Sequence, residues 1–172
     1  HDKKHILKYI DNNIEFNDIT ENYACFGIFG PKSRALLTKL AGDKFENDKF
    51  TFGTGKFLTI DNIDIWFQRL SYVGELGWEL YIPISESKRI YEKIIKIGTD
   101  YNLVHAGRLA MDIMRMEKGY LHWGHDISPA ENPFEAGLGF AVKLNKDFDF
   151  IGKKSLINST SNQKKQFAMF IL

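Results

Sequence analysis

The residues best suited to chemistry lie in one run, Ser71-Tyr-Val-Gly-Glu-Leu-Gly-Trp-Glu-Leu80. Two glycines three positions apart, Gly74 and Gly77, let the backbone turn tightly or approach a ligand closely. Carboxylates flank Gly77 at Glu75 and Glu79, and Tyr72 and Trp78 offer flat faces. A buried carboxylate among aromatic rings can accept two parallel N–H bonds, which suits a fused ring carrying an amino-amide edge. A hairpin with solvated acids accounts for the same residues. Glu79 and Tyr81 are expected on opposite sides of a strand that starts at Trp78.

Other reactive side chains carry plainer readings. His122 and His125 are three apart, but zinc needs further ligands, and neither an HExxH run nor paired cysteines supply them. The stretch reads as a structural loop after Gly119, with Trp123 packed and Asp126 capping the segment C-terminal to it. Trp123 could instead line a ligand entrance. Arg115 suits an ion pair with a nearby acid as well as a ligand contact. Glu135, in Pro133-Phe-Glu-Ala-Gly-Leu138, is expected to hold its turn through backbone N–H bonds. Cys25 is the only cysteine, so no internal disulfide or Cys-based metal site can form. It sits in an apolar run without a nearby base, as a small buried hydrophobe would, and a free thiol suits a reducing cytoplasm.

Composition narrows the classes. The 172 residues hold 23 basic and 22 acidic side chains, a balance that gives no broad field for nucleic acid. The short basic runs Lys153-Lys154 and Lys164-Lys165 are not interleaved with aromatics and read as solvated surface. Hydrophobic residues at 44% with 14 Phe suit a bulky core or a flat-ring ligand. No apolar stretch approaches the roughly 20 residues of a membrane span, and His1-Asp2-Lys3-Lys4 does not resemble a signal peptide. The chain starts without Met, opens inside a helix and ends on an apolar run, Phe167–Leu172, so a cut piece is expected.

The elements that must position these residues read as α+β, a mixed or antiparallel sheet with packed helices. Helices are expected at 3–12, 32–40, 85–98 (capped by Ser85) and 107–118, with a short one at 153–157. The fourth should bury Leu109, Ala110, Ile113 and Met114 and stop at Gly119. Strands are expected at 14–19, 23–29, 56–60, 63–73 and 78–83, with Asp61-Asn62 as a two-residue turn, and alternation continues over Leu138–Leu144.

The run at 71–80 resembles the Tyr-x-Gly-Glu-x-Gly-x-Glu signature of the glycine-cleavage T-protein (aminomethyltransferase) family. Gly30-Pro31-Lys-Ser-Arg34, Ala106-Gly107, Met114-Arg-Met-Glu-Lys-Gly119, Trp123-Gly-His-Asp126, Pro133–Leu138 and Asp149-Phe-Ile-Gly152 follow the family's order and spacing over roughly 5–172. Glu117–Asp126 and the Ser71–Leu80 wording look most like the C-terminal part of dimethylglycine and sarcosine dehydrogenases. The resemblance implies an aminomethyltransferase-type folate-binding region over 1–165, its N-terminal part missing, and at 166–172 the first strand of a truncated C-terminal barrel domain. It implies tetrahydrofolate as cofactor, FAD in a missing upstream domain of the same polypeptide, and a small N-methyl amine substrate whose oxidised methyl group becomes 5,10-methylenetetrahydrofolate. No nucleic acid and no membrane enter as partners. Glu79 matches the pterin-binding carboxylate and Tyr72 the aromatic near the folate cavity, with Trp123 and Arg115 as further folate contacts. Met111 stands where T-proteins carry an Arg that contacts folate. The family's catalytic Asp lies ahead of the opening helix, so no catalytic residue falls in this chain, and neither Asp112 nor Asp126 takes that role. A T-protein-like aminomethyltransferase and a non-catalytic folate-binding relative are the alternatives. Alone, the chain is expected to bind reduced folate weakly if at all and not to oxidise methylamines.

Overall fold

The computed structural model describes residues 2–160 and 165–170. The fold is α+β and divides into two compact units, His1–Arg108 and Leu109–Leu172.

In the first unit four strands, β1 (Tyr23–Phe29), β2 (Gly55–Ile60), β3 (Ile63–Gln68) and β4 (Gly77–Pro83), form an antiparallel sheet in the order β1-β4-β3-β2. Asp61 and Asn62 both adopt positive φ, 49° and 65°, the primed-turn geometry that matches strand twist and joins β2 to β3. The last strand in the chain is therefore a central one. Trp78, Leu80 and Ile82 on β4 are completely buried, whereas Gly77 apart, the alternate positions are only half-covered. The covering layer is α2 (Ser33–Ala41) and α3 (Ser87–Gly98), which bring Leu36, Leu37, Leu40, Ile90 and Ile94 to the core. Their apolar positions recur every three to four residues, the spacing that keeps one helix face inward. Phe45 and Phe50 fold in from the α2–β2 connection and meet Trp78 edge-on, with centroids 5.4 and 6.0 Å away. Arg34 and Arg69 lie over the same indole at 5.5 and 5.6 Å. One sheet face is thus sealed by helices, and Glu79 belongs to the other.

Several expectations change. Helix α1 spans only Asp2–Ile6 and gives way to turns, because Asp11 Oδ1 accepts the Asn13 N–H and ends the run locally. Residues 14–19 form no strand: they have no ladder partner, and Asp18 Oδ1 draws the Thr20 N–H into a local turn at 3.2 Å. Strand β3 stops at Gln68, since its pairing with β4 covers only Trp66–Gln68. Ser85 does not cap α3. A 3₁₀ turn, Ile84–Glu86, intervenes, and the Ser87 hydroxyl closes it on the Ile84 carbonyl at 2.8 Å.

The second unit holds α4 (Arg108–Glu117) and α5 (Lys153–Thr160). Gly119, at φ +70°, ends α4 in a Schellman arrangement: Gly119 N–H donates to Met116 O and Tyr120 N–H to Arg115 O, both at 2.9 Å. The expected burial of α4 is met only in part, with Ala110 and Met114 half-buried. Leu109 is 80% exposed and Ile113 55%, while Arg115 is 3%. The helix is fastened through Arg115 to the loop after it. Leu138–Leu144 contains a 3₁₀ turn, Gly139–Ala141, instead of a strand, because no neighbouring strand among the described residues completes a ladder. Residues 165–170 form no strand, and the Phe167 N–H donates to Glu135 O at 2.8 Å. Ile171 and Leu172 of the expected barrel strand, and Lys164 of the basic run, lie outside the described residues.

Candidate functional site

Glu79 stands at the middle of β4, paired with Gly27 of β1 on one side and Gln68 of β3 on the other. Both backbone edges of its strand are tied into ladders, so the direction in which the side chain leaves the sheet is fixed. It points to the uncovered face and is half-buried. The expectation for Tyr81 is corrected: two residues apart on a strand means the same side, and the Tyr81 hydroxyl donates to Glu79 Oε2 at 2.9 Å. Cys25 and Trp66 lie opposite Tyr81 on the flanking strands.

The other flank of Glu79 is bare backbone. Gly27 and Gly77 have no side chains there, and the Phe29 ring occupies the space: a Cβ on either glycine would collide with it. A Cβ at Gly77 would also lie 2.5 Å from the Ile28 carbonyl oxygen. The carboxylate therefore stands between a phenyl ring lying over two glycines and the Tyr81–Cys25–Trp66 group.

The charge on Glu79 is felt by its neighbours. Its hydrogen bond holds the Tyr81 phenol well above the usual range, and burial adds to this. The Cys25 thiol is raised first by burial and then by the Glu79 charge, with the Tyr81 hydroxyl acting in the opposite sense. Cys25 is exposed by area although its neighbours shield part of the thiol from water, and it is not a buried hydrophobe, because its position on β1 faces away from the helices. A raised pKa makes it a poor nucleophile.

Tyr72 is half-buried in the loop 69–76 that carries the chain from β3 to β4. Gly74 turns that loop at φ +71°, and the Glu75 N–H donates to Ser71 Oγ at 3.1 Å. The Leu76 carbonyl accepts both the Gly30 N–H at 2.8 Å and the Ser33 hydroxyl at 3.0 Å. The Gly-Pro-Lys-Ser turn and the glycine-rich run, distant in sequence, thus brace each other. Hollows of about 280, 250 and 490 Å³ in this unit lie beside Pro31–Ser33, beside Tyr91–His105 and beside Lys3–Lys8, and none of these is lined by Glu79 or Tyr72. Glu79 presents itself on an open face.

In the second unit Arg115 is committed internally. Its Nη1 donates to Tyr120 O at 3.1 Å and pairs with Asp126, whose Oδ2 also accepts the His122 N–H at 2.8 Å. His125 Nδ1 lies 2.9 Å from Asp126 Oδ1. Burial opposes the charge on Asp126, but the His125, His122 and Arg115 donors outweigh it and hold the carboxyl down at about 2. Asp126 therefore anchors the preceding loop to α4 instead of capping the segment C-terminal to it. Trp123 is 61% exposed and not packed. Glu135 does hold its turn: its Oε2 accepts the Asn132 N–H at 3.1 Å, and Asn132 Oδ1 accepts the Glu135 N–H at 3.0 Å. A hollow of about 660 Å³ in this unit is bounded by Arg115, Asp126, Tyr120, Leu121, Met169 and Phe170.

The family model for the GCVT N-terminal domain matches residues 1–146. The chain belongs to the GCVT N-terminal domain family. It is similar to the mitochondrial dimethylglycine dehydrogenase of Homo sapiens, 38% identical over 159 residues that make up 88% of this chain and 18% of that protein. It is 36% identical to the mitochondrial sarcosine dehydrogenase of Homo sapiens over 88% of this chain and 16% of the relative. An aminomethyltransferase of Halothermothrix orenii is 37% identical over 80% of this chain and 38% of its own length. The chain thus spans less than a fifth of the two dehydrogenases.

Sequence reasoning missed the surroundings of Glu79 formed by Tyr81, Cys25 and Phe29. Correct two-residue alternation would have found Tyr81. Phe29 and Cys25 required the β1–β4 register. Among the described residues no group of three or more His, Cys, Asp or Glu side chains could hold a metal ion. No described helix is long and apolar enough to cross a membrane.

Proposed function

We propose that this chain is the tetrahydrofolate-binding one-carbon module of a flavin-dependent demethylating dehydrogenase acting on dimethylglycine or sarcosine. The observation that carries the reading is Glu79, a half-buried carboxylate on a rigid central strand with a hydroxyl donor on one oxygen. That geometry fits a pterin, whose amino-amide edge offers parallel N–H donors to the remaining acceptor sites. Gly27 and Gly77 put no side chain of their own on this flank, and the Phe29 ring packed on them offers the flat face against which a heterocycle would lie. Similarity to two dehydrogenases of this type supports the choice of enzyme.

Bound tetrahydrofolate supplies the nitrogen that captures the one-carbon unit, yielding 5,10-methylenetetrahydrofolate. The part of the chain's own residues is to bind and orient. Glu79 fixes the ring edge, so that the capturing atom is held where a reactive methyl-derived group arrives; Tyr72 joins it on the family resemblance. FAD, the carboxylate that assists proton transfer and the site of the N-methyl amine are assigned to the rest of the polypeptide. Trp123 and Arg115 are retained as folate contacts on the family resemblance. Their geometry assigns Arg115 first to Asp126. The cytoplasmic placement rests on the free Cys25, and fractionation of the native protein tests it.

Glu79→Gln in the full natural protein tests the reading. Loss of the charged acceptor is expected to weaken tetrahydrofolate binding by about 10- to 100-fold, as befits hydrogen bonds to a charged group. An unchanged titration removes Glu79 from the site and the reading with it. An aminomethyltransferase is the second reading, supported by the 37% identical relative of that name. Oxidation of dimethylglycine or sarcosine with reduction of a bound flavin decides for the first.

A further inference from the structure

We propose that Tyr81 is the positioning residue of this site, its hydroxyl clamping one oxygen of Glu79 so that the other is presented to the ligand. The proposal rests on the folate reading for the identity of that ligand. The clamp itself is a feature of the sheet.

Three observations support it. Glu79 and Tyr81 leave the same face of a strand bonded on both edges, so their bases cannot drift apart, and the Tyr81 hydroxyl meets Glu79 Oε2 at 2.9 Å. Gly27, opposite Glu79 on β1, has no side chain to offer, and the Tyr81 hydroxyl is the side-chain donor seen on the carboxylate among the described residues. Tyr81 in turn is placed between Cys25 of β1 and Trp66 of β3. A glutamate has several rotatable bonds, and freezing them only when a ligand arrives lowers affinity; a clamp formed beforehand avoids that loss.

The ionisable groups on this face are few. They are Tyr23 and Cys25 on β1, Asp64 on β3, and Glu79 and Tyr81 on β4. Asp64 is engaged by the Thr59 hydroxyl at 2.7 Å and does not compete for Tyr81. Cys25 therefore reports on the clamp without any ligand. Its thiol is raised by burial and by the Glu79 charge, and drawn the other way by the Tyr81 hydroxyl.

The test uses the full natural protein with Tyr81→Phe, Glu79→Gln and both together. Tetrahydrofolate titrations are paired with the pH profile of Cys25 alkylation, followed on the Cys25 peptide by mass spectrometry. Tyr81→Phe is expected to weaken folate binding by about 5- to 10-fold, within the range of one ordinary hydrogen bond because the bond lost is not to the ligand itself. In the Glu79→Gln background the same change should add less than about twofold, since the two act as one unit. The alkylation midpoint should move to lower pH in Glu79→Gln and to higher pH in Tyr81→Phe. Equal losses in both backgrounds, or no loss in Tyr81→Phe, overturn the positioning role. Should Glu79→Gln leave folate binding untouched, the folate reading fails. The thiol profile then stands alone, and an unshifted midpoint in both variants overturns the clamp as well.

Discussion

A methyl group at position 77 has no room: the Ile28 carbonyl oxygen and the Phe29 Cα would stand 2.5 and 3.0 Å from it. Because the obstruction is partly backbone, it cannot be relieved by rotating a side chain. Gly77→Ala should therefore cost about 1–3 kcal/mol, the range for overpacking, and be seen as a lower midpoint in thermal unfolding. Asp126 gives the second test at this scale. Its folded pKa, about 2, lies below the ordinary 3.8, so its stabilisation is present above that ordinary value and is lost as pH falls through the folded one. Wild type should exceed Asp126→Asn in stability at neutral pH by on the order of 1–2 kcal/mol, with the gap closing toward pH 2. Denaturant titrations at several pH values measure it. The partner of Arg115 was legible as some nearby acid, yet which acid depended on how the loop after Gly119 folds back. The glycine-rich run and Glu79 were legible from residue types. Tyr81 was misread for want of applying the two-residue period, and Phe29 because nothing local marks a ring laid across two glycines on different strands.

At the level of elements, success followed local chemistry. The Asp61-Asn62 turn, the inward faces of α2 and α3, and the Gly119 stop all depend on residues within a few positions of one another. Asn62 sits at φ 65°, where a β-branched side chain is strained. Asn62→Val should cost about 1–2 kcal/mol, whereas Asn62→Gly should be close to neutral; chemical denaturation of the two variants makes the comparison. The failures share a cause. Residues 14–19 and 138–144 alternate as strands do, but alternation without an adjacent strand leaves backbone groups unpaired, and local turns win. Helix α4 shows the converse error: apolar spacing names a face, not what covers it, and Leu109 and Ile113 remain exposed while Arg115 is enclosed.

The whole chain keeps its sheet and its charged loop network in separate compact units, Glu79 in one and Arg115 in the other. The α+β class was legible because helical and strand periodicities alternate through the first 98 residues. The strand order was not, since pairing of β1 with β4 joins residues far apart in the chain, as Tyr23 with Pro83 shows. That order has a consequence for biosynthesis. During translation β1 emerges first, yet its neighbour in the finished sheet is the last strand to appear. Until the ribosome has passed Pro83 the hairpin of β2 and β3 can form, but β1 must wait as a solitary extended segment. Nascent chains halted before that point should remain open to protease around Tyr23–Phe29, and those halted well beyond it should resist.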